Sequence, residues 1–289
     1  MDWVNAIVQG ALVGGLYALF AAGLSLMFGV MRLVNIAHGD LIVLAAYLGL
    51  LVVDTTGLGP FMSLAVVVPA MFVLGYLLQR GLLNFTLGGD ILPPLLVTFG
   101  LSIIIQNALL EGFSADDRKL QAGNFETASL RITDQLAIGW FPFVIFLTAL
   151  VVIGLLEFML YRTALGRAFR ATSDDADTAR LYGVRNRHVY SMATALALAV
   201  ISIAAIFLAV RVSFDPASGP TRLLYAFEAV IIGGLGSLWG TLAGGVVLGI
   251  AQAIGAQLNP GWEQLAGHVA FLLVLIVRPR GLFPRLADG

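Results

Sequence analysis

Three polar side chains that could perform chemistry stand between the first two apolar runs of the sequence: Asn35, His38 and Asp40. Polar and ionisable groups beside such runs are costly, so they tend to face a cavity or a partner. Asn and Asp oxygens can cap the helix that follows, the three groups can line a pathway, or His38 and Asp40 can form a catalytic pair. Since no nucleophile or second base stands nearby, the sequence favours capping, then pathway lining, and disfavours catalysis.

A second polar group, Thr98, Ser102 and Gln106, repeats every four residues within an apolar run. Residues four apart share one face of an α-helix. Such a polar stripe either forms hydrogen bonds to a neighbouring helix or lines an aqueous passage. The spacing is compatible with both interpretations.

One acidic residue, Glu228, precedes a glycine-rich stretch at 233–240 that includes Gly234 and Gly236. An acid inside an apolar run is a candidate for function, whereas the plainer interpretation places Glu228 at the outer interface, where it stays hydrated. Irregular backbone at membrane depth is tolerated only where protein or a water-filled cavity covers it. The stretch is therefore a candidate for lining a passage.

The segment 161–188 combines features of a cytoplasmic contact surface. It contains six of the chain's 15 arginines and joins two apolar runs that are long enough to cross a bilayer. Short arginine-rich loops stay on the cytoplasmic side of a membrane. Within the segment, Gly166 and Gly183 bracket a stretch in which small residues alternate with charges. We therefore expect this loop to bind a cytoplasmic partner.

The residues that the sequence lacks narrow the function. A P-loop needs a lysine that follows a glycine-rich loop, and the only lysine, Lys119, has no such context. The chain is therefore not expected to be an enzyme, and any ATP hydrolysis would belong to separate subunits. There is no cysteine, and the three histidines stand on different segments, so neither a metal site nor a cofactor is expected.

Composition indicates an integral membrane protein. Of the 289 residues, 59% are hydrophobic and 11% are charged, whereas soluble domains are about 25% charged. A net charge of −1 argues against nucleic-acid binding.

We predict a single transmembrane domain over 1–289, an all-α polytopic bundle of about eight or nine helices with one or two of them short or broken. The predicted spans are 6–30, 40–53, 61–79, 92–110, 137–160, 189–211, 223–236, 240–257 and 263–277. A spanning helix needs about 20 residues, so 40–53 and 223–236 are candidates for half-helices.

The charges of the loops predict an orientation. The 111–135 loop holds five acids and three bases, and the 161–188 loop holds three acids and six bases. The positive-inside rule therefore places 161–188 in the cytoplasm and 111–135 outside. Nine crossings from an outside N-terminus leave the C-terminus, with Arg278, Arg280 and Arg285, in the cytoplasm.

Seven stretches spread over the chain carry a recognisable pattern: 10–19, 23–31, 35–39, 166–171, 179–184, 233–240 and 278–283. Together they resemble the permease subunits of bacterial ABC importers for branched-chain amino acids, specifically the smaller of the two homologous permeases. The resemblance implies a multi-pass protein of the bacterial inner membrane, in contact with membrane lipid. It also implies a second homologous permease, two cytoplasmic ATP-binding subunits and an extracytoplasmic solute-binding protein as partners.

On this resemblance, the 161–188 loop is the coupling loop that docks on one ATPase. The residues expected to carry that contact are Gly166, Arg167, Arg170, Asp174, Asp175, Ala179 and Gly183. The acidic run at 174–177 departs from the family pattern, which would tune the ATPase contact. The 111–135 loop is particular to this chain.

The passage itself is expected to follow the polar groups, with the second permease completing its wall. Its expected residues are Asn35, His38, Thr98, Ser102, Gln106, Gly234 and Gly236. The implied solute is a branched-chain amino acid, with urea, amides or aromatic acids as alternatives for the same class of importer. Among other classes, an ion-coupled secondary transporter would need deep carboxylates, a channel would need no coupling loop, and an intramembrane enzyme would need an evident nucleophile.

Overall fold

The computed structural model describes residues 2–87, 92–133 and 136–283, so Arg285 of the predicted basic tail lies outside the described residues. These ranges contain eleven α-helices: α1 Asp2–Met31, α2 His38–Thr56, α3 Pro60–Gly81, α4 Leu92–Phe113, α5 Trp140–Arg162, α6 Ala164–Asp174, α7 Ala176–Leu181, α8 Asn186–Arg211, α9 Gly219–Gly233, α10 Leu238–Leu258 and α11 Glu263–Val277. Short 3-10 helices cover Leu83–Phe85, Gly123–Phe125 and Pro260–Trp262. Strands β1 Ser129–Thr133 and β2 Leu136–Gly139 form one antiparallel pair between α4 and α5.

Within the described ranges, eight helices are long and apolar enough to cross a membrane. This confirms the predicted all-α polytopic fold. Helix α2 has 19 residues and is one of the eight, so the predicted span 40–53 is a full-length helix by this measure. The predicted span 223–236 corresponds to α9, which has 15 residues and ends before Gly234. Gly234 has a φ of 108°, a conformation that glycine adopts at little cost, so the chain turns there instead of continuing the helix.

Close packing of α1 against α10 depends on glycine. A Cβ atom added to Gly10 would lie 2.6 Å from the carbonyl oxygen of Gly249, and one added to Gly14 would lie 2.5 Å from that of Gly245. Small residues let transmembrane helices approach until their backbones touch. Because Gly10 meets Gly249 and Gly14 meets Gly245, the two helices run antiparallel.

Replacing Gly14 by Ala is expected to destabilise the protein. The added methyl group would overlap the α10 backbone, and overpacking of this kind costs about 1–3 kcal/mol. The melting temperature of the purified protein in detergent should therefore fall. Gly154→Ala is the matched control, because a Cβ there would meet nothing within 4 Å. An equal effect of the two substitutions would contradict the packing account.

Several helices expose apolar faces. The large exposed side chains on α4, α5 and α11 include Leu96, Ile104, Leu155, Phe158, Leu273 and Ile276. Soluble monomers rarely expose apolar surface this extensively. These faces suit lipid or another membrane subunit.

Three segments meet at one end of the bundle, which we call the basic end: the 161–188 loop, the 233–240 turn and the 278–283 tail. The Ser173 hydroxyl donates a hydrogen bond to the carbonyl of Gly29, near the end of α1, at 2.6 Å. Backbone N–H groups of the tail donate to the last carbonyls of α9 at 2.8 and 2.9 Å. The C-terminal tail is thereby joined to the α9–α10 turn.

The 111–135 loop lies at the other end of the bundle, which we call the acidic end. There the amide of Gln9, in the first half of α1, donates to the carbonyl of Ala137 at 2.6 Å. Within the loop, Lys119 pairs with Glu126 at 2.9 Å, and this hydrogen bond holds the pKa of the Glu126 carboxyl below its usual value. The two loops of opposite charge therefore lie at opposite ends of α1.

Candidate functional site

Helix α2 starts deep in the bundle. The His38 ring nitrogen Nε2 lies 2.8 Å from the carbonyl oxygen of Phe20, and Phe20 precedes the end of α1, Met31, by 11 residues. At 1.5 Å per residue, the start of α2 is about 16 Å from the end of α1 along the helix axis. The chain between the two helices therefore turns back into the bundle, where protein covers its irregular backbone.

The polar stripe of α4 forms hydrogen bonds to the segment 35–40, which leads into α2. The Thr98 hydroxyl oxygen accepts a hydrogen bond from the backbone N–H of Ile36 at 3.2 Å. The Gln106 amide donates to Asp40 at 2.9 Å and to Ser102 at 3.2 Å. All three stripe residues thus take part in hydrogen bonds, and all three contact the 35–40 segment.

The polar stripe of α4 also borders a cavity. Gln106 lines a cavity of about 140 Å³ together with Asn107 and Asp215. Asp215 follows Phe214, whose backbone pairs with that of Arg118 at 2.9 Å in the acidic-end loop. The stripe therefore connects the buried entry of α2 with a cavity near the acidic end.

Asn35 and His38 are buried and only partly satisfied. Asn35 Oδ1 accepts from the backbone N–H of Ala37 at 3.0 Å. Ala37 itself occupies the cap position of α2, with no side-chain cap, so the prediction that Asn35, His38 or Asp40 caps this helix is wrong. Among the described residues, Asn35 Nδ2 and His38 Nδ1 have no hydrogen-bond partner. Leaving a buried polar group unpaired costs about 1–3 kcal/mol, so these atoms favour a polar ligand.

The start of α9 packs against the start of α2. A Cβ on Gly39 would overlap the carbonyl of Gly219, and one on Gly219 would overlap the Asp40 carboxylate. Only glycine allows this approach of two backbones. The first turns of α2 and α9 therefore meet inside the bundle, with Asp40 between them.

The polar groups of the other helices pair with one another. Glu228 is 2% exposed, and its carboxylate is hydrogen-bonded to the His268 ring on α11. The interpretation of Glu228 as a hydrated residue at the outer interface is therefore wrong. The Tyr17 hydroxyl likewise donates to the side-chain oxygen of Gln252 at 2.5 Å, whereas Gln252 Nε2 and Glu228 Oε2 have no hydrogen-bond partner among the described residues.

Gly234 and Gly236 lie apart from the α2 entry, in the turn at the basic end. Gly236 lines a cleft of about 10 Å³ with Ser25, Phe169 and Arg170, which is about the space of one water molecule. The structure thus places the predicted passage residues in two groups. One group surrounds the start of α2, and the other adjoins the 161–188 loop.

Two short helices form the 161–188 loop. The Thr163 hydroxyl caps α6 by accepting from the backbone N–H of Gly166 at 3.1 Å. Asp175 caps α7 by accepting from the N–H groups of Asp177 and Thr178. The Thr178 hydroxyl also donates to Asp175, and this bond holds the pKa of the carboxyl below its usual value. The acidic run at 174–177 therefore has a local structural role, because Asp175 starts α7.

The predicted coupling residues divide into anchoring and exposed sets. Gly166 and Ala179 are buried, and the Arg170 guanidinium donates to the Leu160 carbonyl and lies 5.1 Å from the Tyr161 ring centroid. These residues hold the loop on the bundle. The exposed members of the set are Arg167, Asp174, Asp175 and Gly183.

Leu181 and Tyr182 are exposed residues that the sequence reasoning missed. Each is 86% exposed at the end of α7, which is unusual for large apolar side chains. The available signal was an apolar pair directly before Gly183 in a polar loop. Exposed apolar and aromatic side chains of this kind are typical anchors of protein interfaces.

Comparison with known proteins identifies the family of the chain. The family model described as "Branched-chain amino acid transport system / permease component" matches residues 6–278. The high-affinity branched-chain amino acid transport system permease protein BraD of Pseudomonas aeruginosa is 27% identical over 296 residues, covering 98% of this chain and 96% of BraD. The corresponding protein LivH of Escherichia coli is 27% identical over 301 residues, covering 98% and 96%.

A shorter alignment was found with a permease that is named for a different import system. The autoinducer 2 import system permease protein LsrC of Salmonella paratyphi B is 35% identical over 141 residues, covering 48% of this chain and 36% of LsrC. Because the family model matches nearly the whole sequence, from residue 6 to residue 278, the chain belongs to the family of branched-chain amino acid transport system permease components.

Proposed function

We propose that this chain is a permease subunit of an ATP-driven importer and forms, with a second permease, a passage for branched-chain amino acids. The observation that carries the proposal is the family match over 6–278, together with two relatives named for this transport that align over 98% of the chain. Neither an ion-coupled secondary transporter nor a carrier of urea, amides or aromatic acids is favoured by these relatives.

ATP hydrolysis would come from two cytoplasmic subunits, because the sequence contains no P-loop. One of the two would contact this chain, at the outer surface of α6 and α7. Arg167 supplies charge there, and Leu181 and Tyr182 supply apolar anchors. Gly166 and Arg170 would transmit movement of the loop to the end of α5, and Ser173 would transmit it to the end of α1.

The passage would run from the acidic end past the start of α2. Its polar lining would be Asn35, His38 and the Thr98–Gln106 stripe, where buried polar atoms lack partners and a cavity adjoins. Gly234 and Gly236 would form its gate at the basic end, next to the coupling loop. The second permease would complete the wall, and a solute-binding protein would dock at the acidic end.

A cysteine-labelling experiment tests the proposed orientation, in which the basic end faces the cytoplasm. The chain has no native cysteine, so a single introduced thiol reports its own location. Gln121→Cys at the acidic end should react with an impermeant thiol reagent on intact cells. Tyr182→Cys, expressed without the ATPase subunits that would cover this position, should react only after the cells are permeabilised, because arginine-rich loops stay inside. Labelling of Tyr182→Cys on intact cells would contradict the orientation.

The proposed function is tested by expressing the chain with the genes of its candidate partners and purifying the complex. We expect two ATP-binding subunits and one further permease to co-purify. Isolation of this chain alone, active in transport, would contradict the proposal.

A further inference from the structure

A large cavity opens at the basic end between α3, α7 and the start of α8. Its volume is about 1190 Å³, which is beyond the usual size of a small-molecule pocket. The charged groups of its lining are Arg80, Asp177, Arg180, Arg185 and Arg187. Four arginines and one aspartate leave this cavity clearly positive.

These arginines have no ion-pair partner among the described residues. The ion pairs found in the described part of the chain are Arg118–Asp116, Lys119–Glu126 and His268–Glu228. None of them involves an arginine of the cavity. A guanidinium group carries five N–H donors in a planar fork that matches a phosphate group, so four such groups around one space favour an anion with several oxygens.

Neighbouring side chains hold part of this lining in place. The Tyr76 hydroxyl lies 2.9 Å from His188 Nδ1, and Arg80 donates to the same hydroxyl at 3.3 Å. Arg187 lies with its guanidinium carbon 6.0 Å from the Phe85 ring centroid. Arg80 and Arg187 are therefore positioned by aromatic groups, while most of their N–H donors have no partner in the part of the chain that the structure describes.

An apolar stripe leads to the cavity along α3. Met62, Val66, Val73 and Leu77 are exposed, and their spacing of four, seven and four residues places them on one helix face. Arg80 follows Leu77 by three residues, so it continues that face. An exposed apolar stripe that ends in a cationic cavity has the layout of a phospholipid, with apolar chains joined to an anionic headgroup.

We infer that this cavity binds the phosphate headgroup of an anionic phospholipid, whose acyl chains lie along the exposed stripe of α3. Basic pockets between transmembrane helices are known binding places for such headgroups. Since α7 and the start of α8 line the cavity, the lipid would also connect the coupling loop to α3. This inference concerns lipid and goes beyond the proposed transport.

The test is native mass spectrometry of the purified complex in detergent, titrated separately with phosphatidylglycerol and phosphatidylcholine. We expect the native protein to bind phosphatidylglycerol about tenfold or more tightly than phosphatidylcholine. The double variant Arg80→Gln/Arg187→Gln should lose this preference. The matched control Arg162→Gln/Arg278→Gln removes two exposed arginines of the basic end that do not line the cavity, and it should keep the preference.

A second variant, Arg180→Gln/Arg185→Gln, removes two exposed cavity arginines and covers the case in which the first variant fails to fold. It should also weaken phosphatidylglycerol binding selectively. Equal affinity of the native protein for both lipids would overturn the inference. An unchanged preference for phosphatidylglycerol in the folded variants would also overturn the inference. A loss of ATPase co-purification with unchanged lipid binding would instead assign the cavity to the ATPase contact.

Discussion

The double variant Leu181→Ser/Tyr182→Ser is expected to abolish ATP-driven uptake while the permease still inserts into the membrane. Both side chains are 86% exposed, so their replacement costs the fold of this chain little. As an anchor of the ATPase contact, Tyr182 would contribute about 2 kcal/mol or more, and burial of the Leu181 side chain would contribute about 1.5–3 kcal/mol. The affinity for the ATPase should therefore fall by roughly tenfold or more for each residue.

Co-purification of the ATPase subunits and uptake by the reconstituted complex measure this effect. Leu258→Ser is the matched control, because Leu258 is an exposed leucine at the end of α10 and away from the coupling loop. Arg167→Glu should act in the same direction as the double variant, since Arg167 is exposed on α6. Arg170 is a poor site for this test, because its bond to Leu160 holds the loop. Normal uptake and normal co-purification with the double variant would remove α7 from the coupling surface.

Replacing His38 by Leu is expected to lower uptake at least about tenfold, because it removes two polar atoms from the proposed passage. Nε2 of His38 contacts the Phe20 carbonyl, and Nδ1 has no partner among the described residues. The first atom positions α2, whereas the second is available to a solute.

The variant His38→Gln separates these two roles. A glutamine amide can keep the hydrogen bond to Phe20 but cannot replace Nδ1. We expect both variants to lose uptake, with a normal melting temperature of the assembled complex for His38→Gln and a lower one for His38→Leu, which loses the hydrogen bond to Phe20. Full activity of His38→Gln would mean that His38 only anchors α2. Thr148→Val is the control, because the Thr148 hydroxyl bonds within its own helix at 2.8 Å.

Apolar runs were sufficient to predict the membrane-spanning helices. Loop charges were sufficient to predict that the 111–135 and 161–188 loops lie at opposite ends of the bundle. A run such as 137–160 must be a helix in a bilayer, because its backbone groups need internal partners. Its boundary was predicted less well, since 137–139 belong to a strand. The basic 161–188 loop was also predictable, because charge is read directly from the sequence.

The depth of an element and the partners of its side chains were not predictable in this way. The deep start of α2 depends on the contact of His38 with Phe20 and on the approach of Gly39 to Gly219. These partners are 18 and 180 residues apart in the sequence, so no local pattern reports them. Glu228 was misjudged for the same reason, because its partner, His268 on α11, is 40 residues away in the sequence.

The central claim is tested most directly by uptake of a labelled branched-chain amino acid into proteoliposomes that contain the purified complex. The solute-binding protein is supplied on the acidic-end side and ATP on the basic-end side. The account predicts accumulation that requires ATP and the α7 anchors and that persists when ion gradients are collapsed. Accumulation driven by an ion gradient without ATP, or by this chain in the absence of the ATPase subunits, would contradict it.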